Sequence, residues 1–95
     1  MYSHLFEKIM KGRSPFVKGT PLANNTRGYI NGETRVISIR LHRTNVVLLY
    51  PDGRVQLFTG GWWTVTTKER INRYTNANIY QHKGNWYLPN RTALS

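Results

Sequence analysis

The sequence contains no cysteine and only four acidic residues among 95, and both deficits restrict what the protein can do. Without cysteine, the chain has no disulfide bond, no cysteine-ligated zinc and no thiol nucleophile. The four acids are Glu7, Glu33, Asp52 and Glu69, too few to favour catalysis by paired carboxylates. The chain also lacks an apolar run of about 18 residues, which predicts that no segment spans a membrane.

Motifs for catalysis and metal binding are missing as well. His4, His42 and His82 are scattered, with no pair at a spacing typical of metal ligands, so we predict no metal site and no cofactor. No G-x-S-x-G motif occurs, and Gly60-Gly61 followed by Thr66-Thr67-Lys68 lacks the order of a nucleotide-binding P-loop. We therefore predict a binding protein rather than an enzyme.

Positive charge is what the sequence has in excess. Fourteen Lys and Arg residues against four acids give a formal net charge of +10 and an isoelectric point near 10.6. Such a balance is typical of proteins that neutralise the phosphates of nucleic acids. Arginines outnumber lysines nine to five, and arginine both binds phosphate with two hydrogen bonds and stacks on bases. A basic surface that serves solubility alone is the alternative.

A length of 95 residues predicts a single domain, over residues 1–95. Residues 1–28 hold an N-terminal helix over 3–11, capped by Ser3, and much of a long loop over 13–32. Residues 29–90 form an α+β core. We expect a small antiparallel curved sheet or partly open barrel, built from a meander, a helix and a closing hairpin.

Alternation of apolar and polar residues defines the meander. Strands over 35–42 and 55–59 are predicted from this alternation, and a run that is apolar on both faces predicts a central strand over 46–50. Turns are predicted at 43–45 and 51–53. The helix follows over 67–75, where Thr66 as N-cap and Glu69 fit a capping box. The closing hairpin pairs 79–82 with 85–88 around Lys83-Gly84.

The segment from Thr59 to Tyr74 is the strongest candidate for a binding site. Two adjacent tryptophans are costly unless they pack or bind, and a helix start beside them favours an anion. An extended backbone would direct one tryptophan into the core and leave the other to stack on a base or a partner protein. The candidate nucleic-acid-binding residues are Trp62, Trp63, Thr67, Lys68, Arg70 and Arg73, with Arg40 and Arg54 as a second basic group on the sheet.

Simpler explanations exist for parts of this site. The hydroxyls can serve as helix caps alone, and Arg73 can pair with Glu69 one helical turn away. Trp86, in the closing hairpin, is expected in the core. The side chains of Lys68 and Arg70 are expected outside it.

Six segments form a recognisable set: Leu22-Ala23-Asn24-Asn25-Thr26, Ile39-Arg40-Leu41-His42-x-Thr44, Tyr50-Pro51-Asp52-Gly53-Arg54, Gly60-Gly61-Trp62, Thr66-Thr67-Lys68-Glu69-Arg70-Ile71-Asn72 and Gly84-Asn85-Trp86-Tyr87. Together they resemble a family of small proteins encoded by tailed bacteriophages. The resemblance covers about residues 22–88 and leaves out the N-terminal helix. It implies a phage protein that acts in host takeover or genome handling, and it supplies no catalytic residues.

We therefore predict a phage nucleic-acid-binding protein that contacts phosphates through Arg and Lys and bases through an exposed aromatic residue. Single-stranded DNA or RNA is the expected partner. The alternative is a host-takeover protein that binds and modulates a host or viral protein with an acidic surface, with Trp62 or Trp63 at its centre. A minor virion component is the third possibility. The expected location is the bacterial host cytoplasm during infection.

Overall fold

Residues 2–89, the part of the chain that the computed structural model describes, contain two helices and seven strands. In chain order these are α1 (Tyr2–Met10), β1 (Thr20–Ala23), β2 (Thr26–Ile30), β3 (Ile37–Leu41), β4 (Thr44–Leu49), β5 (Val55–Leu57), α2 (Val65–Tyr74), β6 (Tyr80–His82) and β7 (Asn85–Tyr87). The first five strands form an antiparallel sheet in which spatial order follows chain order, and β6 pairs with β7 in a separate hairpin. The sheet stays open at β1 and β5, so the predicted α+β fold is confirmed.

Two strands form within the segment predicted as a long loop, so that part of the prediction is wrong. β1 pairs with β2 around the turn Asn24-Asn25, where Asn25 has a φ of 54° that asparagine tolerates better than most residues. Prolines, glycines and asparagines give the segment a loop-like composition, yet β2 pairs along its whole length with β3. Pairing with a neighbouring strand overrides local preference here, and the sheet begins before residue 29.

A β-bulge explains the apolar run in β4. Ile39 pairs with Val47, but the next residue of β3, Arg40, pairs with Asn45, which leaves Val46 as the extra residue. Consecutive residues therefore both face inward, and Val46 and Val47 are buried. The turn between β3 and β4 occupies positions 42–43, so it starts one residue earlier than predicted and is one residue shorter.

Both helices cover one face of the sheet, which we call the inner face. Leu5 and Ile9 of α1 and Ile71 and Tyr74 of α2 join a single buried cluster with the inner-face residues of the strands. The close approach of α1 requires Gly28, because a Cβ atom there would lie 2.6 Å from Cδ1 of Ile9. The opposite face, called the outer face, consists of half-buried and exposed residues: Arg27, Tyr29, Ser38, Arg40, Asn45, Leu48 and Gln56.

Both helices begin earlier than predicted. Thr64, and not Thr66, is the N-cap of α2, since its Oγ1 accepts a hydrogen bond from the Thr67 amide at 3.1 Å. The run of threonines offers several possible caps, and the structure uses the one that places Thr67 inside the fold. Ser3 likewise lies within α1 rather than at its cap.

Candidate nucleic-acid interface

The two tryptophans before α2 are both exposed, which corrects the expectation that one fills the core. Trp62 is 63% exposed and Trp63 is 45% exposed. Trp63 packs edge-to-face against Trp86, with ring centroids 5.0 Å apart, and it is Trp86 that is buried, as predicted. Trp63 therefore covers the core from outside, while Trp62 has more surface available for a ligand.

Gly60 and Gly61 set the path of the chain into this segment. Their φ angles are 61° and 83°, in the left-handed region that favours glycine. The Trp62 amide then donates a hydrogen bond to the carbonyl of Thr59 at 2.9 Å, which closes a tight turn. This turn directs Trp62 over the end of the sheet where β3 meets β4.

A cavity of about 560 Å³ lies between this turn and the start of α2. We call it the Trp62 cavity; its described lining consists of Leu41, His42, Arg43, Thr44, Val46, Thr59, Trp62, Thr64, Thr66 and Thr67. None of these residues is acidic. The lining therefore combines apolar surface, threonine hydroxyls, one histidine and one arginine beside an exposed aromatic ring.

The predicted anion contacts at the start of α2 are largely occupied within the protein. Thr67 is only 2% exposed, and its hydroxyl lies 3.1 Å from that of Thr64, so it acts in the cap. The Nζ of Lys68 lies 5.8 Å from the ring centroid of Trp86 and 3.5 Å from Oε1 of Gln81. Lys68 is half-buried against the β6–β7 hairpin rather than extended into solvent.

Arg70 joins α2 to the β1–β2 turn, contrary to the expectation that its side chain lies on the surface. Its Nε donates to Oγ1 of Thr26 at 2.9 Å, and one terminal nitrogen donates to the carbonyl of Asn24 at 3.3 Å. The side chain is 12% exposed and also pairs with Glu69. Arg70 is thus a structural contact between a helix and a turn distant in sequence.

Glu69 is shared by two arginines and takes no part in a capping box. It accepts from Arg70 and from Arg73, the second being the one-turn pair that the sequence offers. Desolvation raises the pKa of Glu69, but hydrogen bonds from the two guanidinium groups outweigh it and hold this pKa below its ordinary value. Arg73 is half exposed and already neutralised in part, so α2 presents less free positive charge than its sequence suggests.

The outer face brings together arginines that the sequence could not place on one side. Arg27 and Arg40 are cross-strand partners in β2 and β3. Tyr50 follows β4, and its amide donates to the carbonyl of Arg54, which continues the ladder so that both side chains point outward. Arg40 and Arg54 therefore share the outer face with Arg27.

Each of two outer-face arginines stacks on a tyrosine. The guanidinium carbon of Arg40 lies 4.5 Å from the ring centroid of Tyr29, and that of Arg54 lies 4.5 Å from the ring of Tyr50. The hydroxyl of Tyr50 donates to Oε1 of Gln56 at 2.6 Å. These contacts orient flat, cationic groups across the face of the sheet.

Asp52 is an acid that pairs with an arginine of this face. A hydrogen bond from the Arg54 amide, followed by contacts with its side chain, lowers the pKa of Asp52. The Nε of Arg54 lies 2.8 Å from the carboxylate, in an exposed pair that water screens strongly. The five strands themselves contain no acidic residue.

Sequence reasoning missed Arg27, Tyr29 and Tyr50 as members of this surface. The loop prediction over 13–32 concealed the alternation from Thr26 to Ile30, which places Arg27 and Tyr29 on one side. Tyr50 and Arg54 flank the turn Pro51-Asp52-Gly53, and this symmetric spacing is the signal that predicts a cross-strand pair.

The outer face and the Trp62 cavity meet at the turn between β3 and β4. A second cavity of about 330 Å³ lies at this end of the outer face and is lined in part by Arg27, Tyr29 and Arg40. His42 lines both cavities, and its amide donates to the carbonyl of Asn25 at 2.7 Å. This hydrogen bond joins the β3–β4 turn to the β1–β2 turn, so the two turns form one continuous edge.

Other classes of site receive no support within residues 2–89. These residues contain no group of three or more His, Asp or Glu side chains arranged to hold a metal ion. Neither of their helices combines the length and apolar character needed to cross a bilayer.

The comparison with family models identifies a match over residues 6–94 to a family described as Kyanoviridae Gp96 protein. The match confirms the resemblance to a phage protein family and extends it to include α1 from Phe6 onward, which the sequence motifs left out. No curated protein and no solved structure matches the chain.

Proposed function

Because the chain belongs to the Kyanoviridae Gp96 protein family, a bacteriophage family, we propose that it binds single-stranded DNA or RNA in the cytoplasm of the infected bacterium. The proposed contact surface is the outer face of the five-stranded sheet. The observation that carries the proposal is the combination of three arginines and two tyrosines on a face that neither helix covers.

Charge supports this surface over the start of α2. Arg27 and Arg40 lie side by side on adjacent strands, where two like charges repel unless an anion lies between them. A phosphate group bridging the two guanidinium groups would relieve that repulsion. On α2 the carboxylate of Glu69 compensates both Arg70 and Arg73, whereas on the outer face Asp52 pairs with Arg54 alone of the three arginines.

The tyrosines support a single strand over a duplex. Unpaired bases stack on aromatic rings and guanidinium planes, which a base-paired helix cannot offer to a flat sheet. The Arg40–Tyr29 and Arg54–Tyr50 stacks lie near opposite ends of the outer face. A strand that runs along β3 and β4 would meet both, with phosphates near Arg27 and Arg40. This binding mode requires no catalysis, and we propose none.

The test replaces the two arginines that the sequence also singled out. In Arg40→Gln/Arg54→Gln, labelled oligo(dT) and oligo(U) should bind more weakly at low salt. The slope of log K against log salt should flatten by about 0.7 for each phosphate that the variant no longer neutralises. Fluorescence anisotropy over a salt series measures both quantities.

The matched control removes the same charge elsewhere. Lys8 and Lys11 are exposed at the end of α1, on the helix side of the sheet. Lys8→Gln/Lys11→Gln should bind nearly as the wild type does. Equal weakening in both double variants would show that net charge, not the outer face, determines binding. Absence of wild-type binding at low salt would reject the function.

The second candidate is a protein that binds an acidic host or viral protein. The observation that favours it is the exposed apolar group of Trp62, Trp63 and Val65, with Val65 76% exposed. Such a group beside a basic surface is typical of a protein interface with an aromatic centre. A Trp62→Ala/Trp63→Ala variant that loses a co-purified acidic phage or host protein, in a chain that binds no oligonucleotide, would favour this candidate. A role as a minor virion component would require the protein in purified particles.

A further inference from the structure

The Trp62 cavity is large enough for a small organic group and has the chemistry of a polar, flat one. Its volume of about 560 Å³ falls within the range of small-molecule pockets. Leu41 and Val46 provide apolar surface, while several threonine hydroxyls can both donate and accept hydrogen bonds. The hydroxyls of Thr59, Thr64 and Thr67 already form hydrogen bonds within the protein, which leaves those of Thr44 and Thr66 for a ligand. A nucleobase offers such hydroxyls an edge of donors and acceptors, and it offers Trp62 a flat face.

Trp62 supplies the stacking surface that a base requires. Its ring lines the cavity and remains 63% exposed, and the turn at Gly60-Gly61 fixes the backbone that carries it. Arg43 lines the same cavity and is suited to the phosphate of an entering nucleotide. The acid-free lining and the net charge of +10 complement a polyanion rather than a basic or neutral ligand.

The cavity continues the surface proposed above. His42 contributes to the Trp62 cavity and to the smaller cavity beside Arg27 and Arg40. A strand that follows the outer face toward the β3–β4 turn therefore reaches the Trp62 cavity by crossing His42. Because the side chain of His42 lines both cavities, neighbouring nucleotides of one strand can occupy both places.

We propose that the Trp62 cavity receives one unpaired base of the bound strand, stacked on Trp62, while the outer face holds the adjacent nucleotides. This inference rests on the proposed function and adds a base-accepting site to it. It implies a strand end or a turned-out base at the cavity, and it distinguishes single strands from duplexes, whose bases are paired.

The test compares Trp62→Ala with Phe16→Ala. Trp62→Ala should weaken binding of an oligo(dT) of about 10 nucleotides roughly 5- to 150-fold, the effect of losing one stacked base. Phe16 is also an exposed aromatic residue, but it lies by the β2–β3 loop at the far end of the sheet, so Phe16→Ala should bind normally. Trp62→Phe, which keeps a ring, should retain most of the affinity.

A spectroscopic readout separates stacking from a change in fold. The indole N–H signal of Trp62, assigned by its absence in Trp62→Phe, should shift when oligo(dT) is added, while that of the buried Trp86 should move less. The salt slope of Trp62→Ala should change by at most about 0.7, because the stacked nucleotide brings a single phosphate to Arg43.

The outcomes distinguish failure of the base site from failure of the proposed nucleic-acid binding. Weak binding by Arg40→Gln/Arg54→Gln together with normal binding by Trp62→Ala and an unshifted Trp62 signal would overturn the base site and leave the sheet surface in place. Failure of the wild type to bind any oligonucleotide would overturn both. A Trp62 signal that shifts with an acidic protein but with no oligonucleotide would also overturn the base site.

Discussion

At the scale of single residues, Gly60 and Gly61 have similar backbone conformations but different surroundings. Both have positive φ, so any side chain is strained there. A Cβ atom on Gly60 would also lie 2.6 Å from Cγ2 of Thr44, whereas one on Gly61 would meet nothing within 4 Å. Gly60 therefore carries a steric requirement in addition to the conformational one.

We expect Gly61→Ala to lower the free energy of unfolding by about 1 kcal/mol, the usual cost of a left-handed alanine. Gly60→Ala should cost more, because Thr44 must also move. Urea denaturation measures both. Gly32→Ala is the control, since its Cβ would make only an ordinary contact at 3.8 Å. Equal stability of Gly60→Ala and Gly32→Ala would contradict this explanation of the turn.

The sequence predicts the backbone conformation of the glycines better than it predicts the contacts of the arginines. Glycine adopts positive φ more readily than other residues, so a glycine pair marks a position where the backbone can take that conformation, and the structure has both Gly60 and Gly61 in that region. Arg40, Arg54 and Arg70 look alike in sequence, but their neighbours give them different roles. Arg70 is held by Thr26, which lies 44 positions earlier in the chain, and no local pattern reveals such an interaction.

At the scale of elements, the start of α2 shows how a repeated residue type hides the cap. Thr64, Thr66 and Thr67 are all acceptable near a helix start, and the pair Thr66 and Glu69 has capping-box spacing. The structure selects Thr64 because this choice buries Thr67 and leaves Glu69 to the arginines. The element itself was predicted within two residues at its start, and only its cap was misassigned.

We therefore expect Thr64→Ala to lower the free energy of unfolding by roughly 0.5–2 kcal/mol, the cost of losing an N-cap side chain. Thr66→Ala should change it little, because Thr66 is exposed in the first turn. Thermal and urea denaturation of the two variants make the comparison. A larger effect at Thr66 than at Thr64 would favour a capping box formed by Thr66 and Glu69 instead.

The contact between α2 and the β1–β2 turn depends on one side chain. Arg70→Met keeps the aliphatic length but removes the hydrogen bonds to Thr26 and Asn24. We expect a decrease in the free energy of unfolding of about 1.5–3 kcal/mol, typical of hydrogen bonds made by a charged group. Arg73→Met, at a half-exposed ion pair, should cost at most about 1 kcal/mol. Similar small decreases at both positions in urea denaturation would show that Arg70 does not join these elements.

The β1–β2 hairpin shows where the local sequence pattern fails to predict a strand. Alternation predicted β3 well, because Ile37, Ile39 and Leu41 are all apolar and all buried. In β2 the corresponding inward positions are Thr26, Gly28 and Ile30, of which only one is a large apolar residue. The close approach of α1 requires glycine at position 28. This tertiary contact gives the strand a sequence that is typical of a loop.

At the scale of the whole molecule, the sheet separates two chemically different surfaces. Its inner face supports the core with both helices, and its outer face carries arginines and tyrosines on strands without acids. Composition predicted the total charge, and the fold determines its distribution. Glu69 neutralises part of the positive charge that was expected along α2. The positive charge on the sheet lies on one side, although the sequence indicated it only as a second basic group.

Stability at low pH should depend on the few acids of this basic protein. The pKa values of Asp52 and Glu69 lie below their ordinary values of 3.8 and 4.5, the latter because hydrogen bonds from Arg70 and Arg73 outweigh desolvation. A lowered pKa in the folded state contributes stability above the unfolded-state pKa, and this contribution is lost as pH falls through the folded-state value. Protonation also adds to the repulsion within a chain of formal charge +10.

We therefore expect the free energy of unfolding to fall as pH decreases below about 4.5, the ordinary pKa of Glu69. Glu69→Gln should be less stable than the wild type at neutral pH but should lose less stability in acid, because the group that titrates is gone. Glu7→Gln changes the net charge equally at an exposed site on α1, so its pH profile should run parallel to that of the wild type. Urea denaturation at several pH values tests the difference. If Glu69→Gln and Glu7→Gln lose stability in acid equally, repulsion among the basic residues alone governs acid unfolding, and the pairing of Glu69 with two arginines contributes nothing to it.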